Sequence, residues 1–223
     1  MRKEIGLMGA ILVGIIAVAW IGSSYYRNDS KPAANTAASR PLANLIRDDS
    51  LAMGPTDAAV TVVEFLDPEC ESCAAFAPAV KKVVDENKDR VRLVVRYVPL
   101  HPNSARAITL IEAAAEQGKG WQALDILLAK QGEWGDRHGA PSASAPPDVP
   151  KLFESYARAI GLDLEKYLAS VRENRFVQKI ERDRRDATEA GVRQTPTIFV
   201  NGKRLAKLNE NDLRSMVAAE LAK

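Results

Sequence analysis

Side chains that grip transition metals are scarce in this chain. Among its 223 residues are two cysteines, Cys70 and Cys73, and two histidines, His101 and His138, at irregular spacing. A structural zinc centre needs about four such ligands, and covalent haem attachment would need a histidine directly after Cys73, where Ala74 stands. Two cysteines three positions apart also cannot make a long-range disulfide framework, so stability has to come from ordinary core packing. Charge of one sign is not in excess either: 31 Lys and Arg stand against 29 Asp and Glu. They are interspersed, as in ERDRRDATEA (residues 181–190), which reads as a solvated helix face. No overall field therefore points to nucleic acid or to an anionic surface. No metal and no other cofactor is expected.

Long apolar runs are rare, and the one at the amino terminus is informative. Ile5 to Ile21 carries no charge and as a helix would reach about 25 Å, barely a bilayer core. Arg2 and Lys3 precede it, and Trp20, Tyr25 and Tyr26 stand where interfacial aromatics belong. Residues 1–22 are therefore expected to be a membrane anchor with a cytoplasmic amino end and the remainder exported. The rival is a cleaved signal peptide, since Ala17-Val18-Ala19 has the small-x-small form, but that triplet lies inside the apolar run. Either reading places the cysteines in an oxidising, extracytoplasmic space. Residues 23–50, rich in Ser, Ala, Asn and Pro, read as a flexible linker. Within it PLANLIRDD could form a short helix, open to self-association.

The folded domain is expected over 51–223. Residues 59–66 read as a strand. A helix follows from Cys70 or Glu71 to Asn87, with Pro78 bending it about two turns from its start. Residues 91–98 give a second strand, parallel to the first because the crossover is long. A helical block over 104–190 is expected to be broken once, by the Gly-, Pro- and Ser-rich stretch 132–150. TPTIFVNGKRLAKL is a hairpin turning at Asn201-Gly202, and a closing helix capped near Asn209 runs from about Asn211 to Leu221.

Both cysteines fall at the start of the first helix. There Cys70 meets unpaired N–H groups and the positive helix end, which favour its anion, while Cys73 lies one turn inside on the same side. Cys70 is thus the candidate attacking thiolate and Cys73 the resolving thiol. Strand alternation puts Glu64 on the face of Val60, Val62 and Leu66, where a buried carboxylate is costly unless its pKa rises or a partner is supplied. His101, beside Pro102, reads as a turn residue, and Trp121 and Trp134 as core or groove lining.

Three stretches in order, VTVVEFLDPECESCAAFAP, YVPLHPNSARAITLIEAAAEQGKGWQALDILLAKQ and GVRQTPTIFVNG, carry a family likeness. From about Met53 to the carboxyl end the chain resembles DsbA-like thiol:disulfide oxidoreductases of the thioredoxin superfamily. The resemblance implies an α/β thioredoxin-like fold with a helical insertion and a redox-active Cys70–Cys73 pair. It makes Glu64 the buried acid that moves protons to and from the resolving thiol. It makes Pro196 a cis proline facing the cysteines, with the Thr195 backbone free to pair with an extended substrate. It also implies cysteine-containing client proteins and a membrane redox partner. That partner would be a quinone-linked oxidase for a disulfide donor, or an electron conduit for a reductase or isomerase.

The chain departs from the family's best-known oxidants between the cysteines, where Glu71-Ser72 replaces Pro-His and Glu69 stands just outside. A neighbouring carboxylate disfavours the Cys70 anion by about 1 kcal/mol in water, against roughly 0.3 to 1 kcal/mol from the helix end. These nearly cancel and leave the direction of electron flow open. Two other classes compete. A redox-inactive peptide-binding chaperone would keep its cellular role after Cys70→Ser. A dithiol copper chaperone would bind copper tightly without oxidising thiols.

Overall fold

The computed structural model describes residues 41–135 and 148–223. The expected anchor, most of the expected linker and His138 lie outside the described residues. Among the described residues no helix is long and apolar enough to cross a membrane.

Strand β2 (Val60–Leu66) is buried along its whole length, as its β-branched run requires of a central strand. Helix α1 (Glu71–Asp85) returns the chain to β3 (Val91–Tyr97), which pairs parallel to β2 with Val62 opposite Leu93. A short β1 (Leu51–Met53) runs antiparallel to β3, an edge the sequence reading did not identify. On the other side β4 (Thr197–Val200) pairs antiparallel to β2, and β5 (Lys203–Arg204) pairs antiparallel to β4. The sheet order is β1-β3-β2-β4-β5. The β4–β5 turn is made by Asn201 and Gly202 at φ 46° and 79°, the left-handed values a tight hairpin needs. Helix α8 (Glu210–Leu221) closes the chain, with the Asn209 side chain accepting from the Asp212 N–H at 2.8 Å.

Among the described residues, the block expected to be interrupted once contains six helices: α2 (Ser104–Ala115), α3 (Gly120–Ala129), α4 (Gln131–Trp134), α5 (Val149–Ala159), α6 (Leu164–Arg172) and α7 (Val177–Glu189). The extra breaks are local capping events. At the end of α5, Gly161 takes φ 72° and the next N–H, of Leu162, reaches back to the Ala157 carbonyl at 2.9 Å. Asp163 then starts α6 by accepting from the Lys166 N–H. Periodicity alone passes over such stops, because the apolar stripe resumes in phase with the core.

Two apolar layers flank the sheet. Val60, Val62, Val91 and Ile198 meet α1 and α8 through Phe76, Val80, Leu213 and Val217. Val63, Phe65, Val94 and Phe199 face the other way, towards α7 and residues 42–46. The helical insertion packs its own core around Ile108, Leu127, Trp134 and Phe153 beside Cys73.

Two expectations are corrected on the second layer. Residues 41–50 are not tether: a turn of 3-10 helix (Leu42–Asn44) leads to Leu45, fully buried against the sheet, and Arg47 holds Asp186 through two bonds of 2.8 and 2.9 Å. PLANLIRDD thus packs on its own domain. One apolar anchor and one arginine hold it, too sparse a signal against a linker-like composition. The run 181–190, read as a solvated face, buries Asp183 and Asp186. Both accept from Nη2 of Arg96, itself fully buried on β3, at 2.9 and 2.6 Å, and Arg96 Nη1 donates to the Leu45 carbonyl at 2.8 Å. Replacing Arg96 with Leu leaves Asp183 and the Leu45 carbonyl short of donors. The expected loss is about 3 kcal/mol of stability, read as a lowered urea midpoint.

Candidate active site

Helix α1 starts where it does because of the turn before it. Asp67 is fully buried; its Oδ1 accepts from the Glu69 N–H at 2.9 Å, and its carbonyl accepts from the Cys70 N–H at 3.1 Å. Cys70 is therefore the N-cap residue of α1, in extended conformation, and its carbonyl receives the N–H of Ala74 at 3.1 Å. The Cys70 sulfur is half-buried, and Cys73, one turn on, is fully buried. From 125 residues away the Thr195–Pro196 segment, joined by a cis peptide bond, reaches the same spot: the Cys70 thiol donates to the Thr195 carbonyl at 3.4 Å.

The two sulfurs are electrostatically unlike. The Cys70 thiol is brought down to about 5, chiefly by a hydrogen bond from Cys73. Burial opposes this; Thr195 and the N–H groups of Cys73 and Ser72 add to it. In the thiol form Cys70 donates to the Thr195 carbonyl, yet the Thr195 hydroxyl oxygen is buried with no hydrogen bond among the described residues. Once Cys70 ionises, that hydroxyl can turn its proton to the sulfur. Cys73 moves the other way, pushed up first by burial and then by the neighbouring Cys70. The site can thus carry an anion on Cys70 while Cys73 keeps its proton. The Cys73 hydrogen bond, invisible to a balance of helix end against local carboxylates, is the largest contribution.

Glu71 and Ser72 are exposed on the first turn. Glu69 is buried, and its carboxylate is committed elsewhere: it accepts from Asn103 N at 2.6 Å, from Asn103 Nδ2 at 2.8 Å and from the Ser104 hydroxyl at 3.4 Å, at the start of α2. Glu64 lies on the α1 side of β2, opposite Val95 and Ile198, and is 3% exposed. Its Oε1 has no hydrogen bond among the described residues, and burial pushes its pKa up to about 7.

Asp67 and His101, the latter expected to be only a turn residue, meet beside the start of α1. Asp67 Oδ2 accepts from the Leu100 N–H at 2.8 Å and lies 2.7 Å from His101 Nδ1. An acid followed by Pro between a strand end and a C-x-x-C is a turn-capping signal that could have identified Asp67. The partner from position 101 is a tertiary fact.

Two measurements test these electrostatics. Cys73→Ala removes the hydrogen bond to the Cys70 thiolate; a bond to a charged group contributes about 1.5–3 kcal/mol, so the Cys70 alkylation midpoint is expected to rise by about 1–2 pH units. Glu64 binds a proton more tightly folded, at about 7, than at its ordinary 4.5. Stability should therefore fall as pH rises from about 4.5 through 7 and stay lower above. Glu64→Gln removes that slope. At pH 8 the variant should gain roughly 2–3 kcal/mol relative to wild type, compared with their difference at pH 4.5, in urea unfolding of the reduced proteins.

A family model described as Thioredoxin matches residues 47–219. Among solved structures, oxidised BdbD from Bacillus subtilis superposes with a TM-score of 0.67 at 24% identity, covering 78% of this chain and 94% of that one. A thioredoxin-like oxidoreductase from Silicibacter pomeroyi DSS-3 gives 0.65 at 23%, covering 79% and 95%. The thiol-disulfide exchange protein alpha-DsbA2 from Wolbachia pipientis gives 0.63 at 21%, covering 79% and 89%. At such identities the likeness speaks for the fold. Curated relatives include a Na(+)/H(+) antiporter NhaA of Herminiimonas arsenicoxydans, 34% identical over 152 residues, and NhaA 3 of Salinispora tropica, 38% identical over 154. Each match takes in 68% of this chain, which spans only 22% and 21% of the two antiporters. Matched by its family model over most of its length, the protein belongs to the thioredoxin family and has the helix-inserted fold of DsbA-like thiol:disulfide oxidoreductases.

Proposed function

We propose that the protein is an extracytoplasmic thiol:disulfide oxidoreductase that donates disulfides to secreted or envelope proteins through Cys70 and Cys73. The observation that carries this reading is the meeting of three groups: a half-buried Cys70 sulfur, a fully buried Cys73 one turn on, and the Thr195 carbonyl beside a cis proline. A client thiolate attacks Cys70 of the oxidised pair and breaks the Cys70–Cys73 bond. The client's second thiolate then attacks its own sulfur in the mixed disulfide and releases Cys70. Two electrons pass from the client dithiol to the pair. Of the client's two protons one ends on Cys73 and one goes to solvent, because Cys70 departs as a thiolate.

Thr195 and Pro196 would dock the client backbone as an added strand, and Glu64 would relay the Cys73 proton. The direction follows from the stabilised anion. What favours the Cys70 thiolate favours the reduced pair, and so drives electrons from client to protein. The apolar run at residues 5–21, read as an anchor, would hold the domain at the outer side of the inner membrane, where a quinone-linked oxidase would reoxidise the pair. No metal or other cofactor enters the scheme.

With purified protein, Cys70→Ser is expected to lose about a thousandfold or more in oxidative refolding of a reduced client. Cys73→Ala, which cannot form the pair's disulfide, should lose the donation to a similar extent. Alkylation trapping in living cells should find the wild-type pair mainly oxidised. A pair kept reduced would reverse the direction proposed. A Cys70→Ser strain with its cellular role intact would replace the reading with a peptide-binding chaperone.

A further inference from the structure

The loop that brings Thr195 to Cys70 runs from the end of α7 to β4 and has few backbone bonds of its own. Val192 is buried, and its N–H closes the end of α7 on the Ala187 carbonyl at 2.9 Å. Arg193 and Gln194 are exposed, and residues 193–195 make no backbone–backbone hydrogen bond among the described residues. Yet the Thr195 carbonyl stands 3.4 Å from the Cys70 sulfur. Side chains hold the loop instead. The Thr197 hydroxyl donates to the Gln194 carbonyl at 2.8 Å, and its oxygen accepts from Arg204 Nη2 at 3.4 Å. Arg204 Nη1 donates to the Gly191 carbonyl at 3.3 Å. Both ends of the loop are thus tied to one guanidinium on β5.

We propose that Arg204 is a positioning residue of the active site, holding the 191–197 loop so that the Thr195 backbone is set to receive an extended client strand. This rests on the oxidoreductase reading above and names a residue that governs its docking step. Arg204 is paired with Phe199 across the β4–β5 ladder, so its side chain lies on the sheet face of Phe199 and of Thr197, its diagonal neighbour. Among the described residues it forms no ion pair, and its guanidinium is given to the loop. The two bonds leave from separate nitrogens of a planar fork, which lysine, with one nitrogen, cannot reproduce.

The arrangement acts through one peptide plane. The Gln194–Thr195 bond is trans, so its carbonyl and its N–H point in opposite directions. Fixing the Gln194 carbonyl on the Thr197 hydroxyl therefore aims the Thr195 N–H, and the next carbonyl along the chain is the one beside Cys70. The N–H and carbonyl of one residue are the pair of groups that an added antiparallel strand engages. The Thr197 hydroxyl has a single proton; given to Gln194, it leaves the oxygen free to accept from Arg204, so the two bonds support each other. A loop set before the client arrives spares the ordering that binding would otherwise cost.

The test uses the full chain in its oxidised form and two reduced probes, a synthetic two-cysteine peptide and dithiothreitol, which has no backbone to dock. In Arg204→Ala the ratio of the peptide rate to the dithiothreitol rate should fall about three- to tenfold, through a higher KM for the peptide. Thr197→Val should lower the ratio by a similar factor, and the double variant should lie within about twofold of either single one, because the two side chains act in series. Thr197→Ser, which keeps the hydroxyl, should retain the wild-type ratio. Urea midpoints show which variants are folded. Should Arg204→Ala not fold, Arg204→Lys, which keeps the charge and loses the fork, should still lower the ratio. An unchanged ratio in the folded Arg204 variants, or equal losses with both probes, overturns the assignment. A wild-type protein that oxidises neither probe counts against the proposed function instead, whatever the arginine does.

Discussion

Asp67 is buried without residual exposure, and a carboxylate in that position persists only if donors surround it. Its donors come from two stretches of chain, the Glu69 N–H on one side and Leu100 and His101 on the other. Satisfying the acid therefore closes the turn and brings the segment after β3 against the helix tip in one act. The Asp67 carbonyl fixes the Cys70 N–H, and with it the residue at which α1 begins. Were the helix to start one residue later, the sulfur would lose the N–H groups of Ser72 and Cys73 that now face it. The turn thus adds these N–H groups to the Cys73 hydrogen bond that chiefly lowers the sulfur's pKa.

Much of this fold could be read from pattern, because the elements around the site announce themselves locally. Val60–Leu66 is β-branched along its length, the Asn201-Gly202 pair demands a left-handed turn, and Asn209 caps the helix that follows it. The cis Thr195–Pro196 bond came from family likeness alone, since spacing would have argued for trans. What escaped notice depends on partners far away in sequence. Leu51–Met53 is too short to show a period, Leu45 is one apolar residue in a polar stretch, and the acids of 181–190 look solvated until Arg96 is placed beneath them. Asp67 and His101 belong to the same class: each is ordinary in its own segment and significant only in contact.

The Arg96 cluster and the cysteine site also show two ways of treating buried charge. Arg96 lies among acceptors on every side and fixes residues 41–50 and α7 to the sheet, a structural use of ions that are fully paired. On the opposite face of the same sheet Glu64 has an oxygen with no partner among the described residues. Burial with no other cause makes the charge of Glu64 depend on pH near neutrality.

When the pair is reoxidised in the proposed cycle, the buried Cys73 thiol must lose its proton to attack the mixed disulfide on Cys70. Burial and the neighbouring sulfur hold that proton in place, so a base is needed that can reach a dry site without paying for a permanent charge there. A well-paired carboxylate such as Asp186, held near 2 by its arginines, would be far too weak a base. Glu64, raised by burial to about 7, matches its affinity to the pH at which it would work. Its charge also disfavours ionisation of Cys73, so the two groups act as alternative seats for one proton. In the proposed cycle Glu64 would take the proton when the sulfur attacks and return it when the sulfur is released.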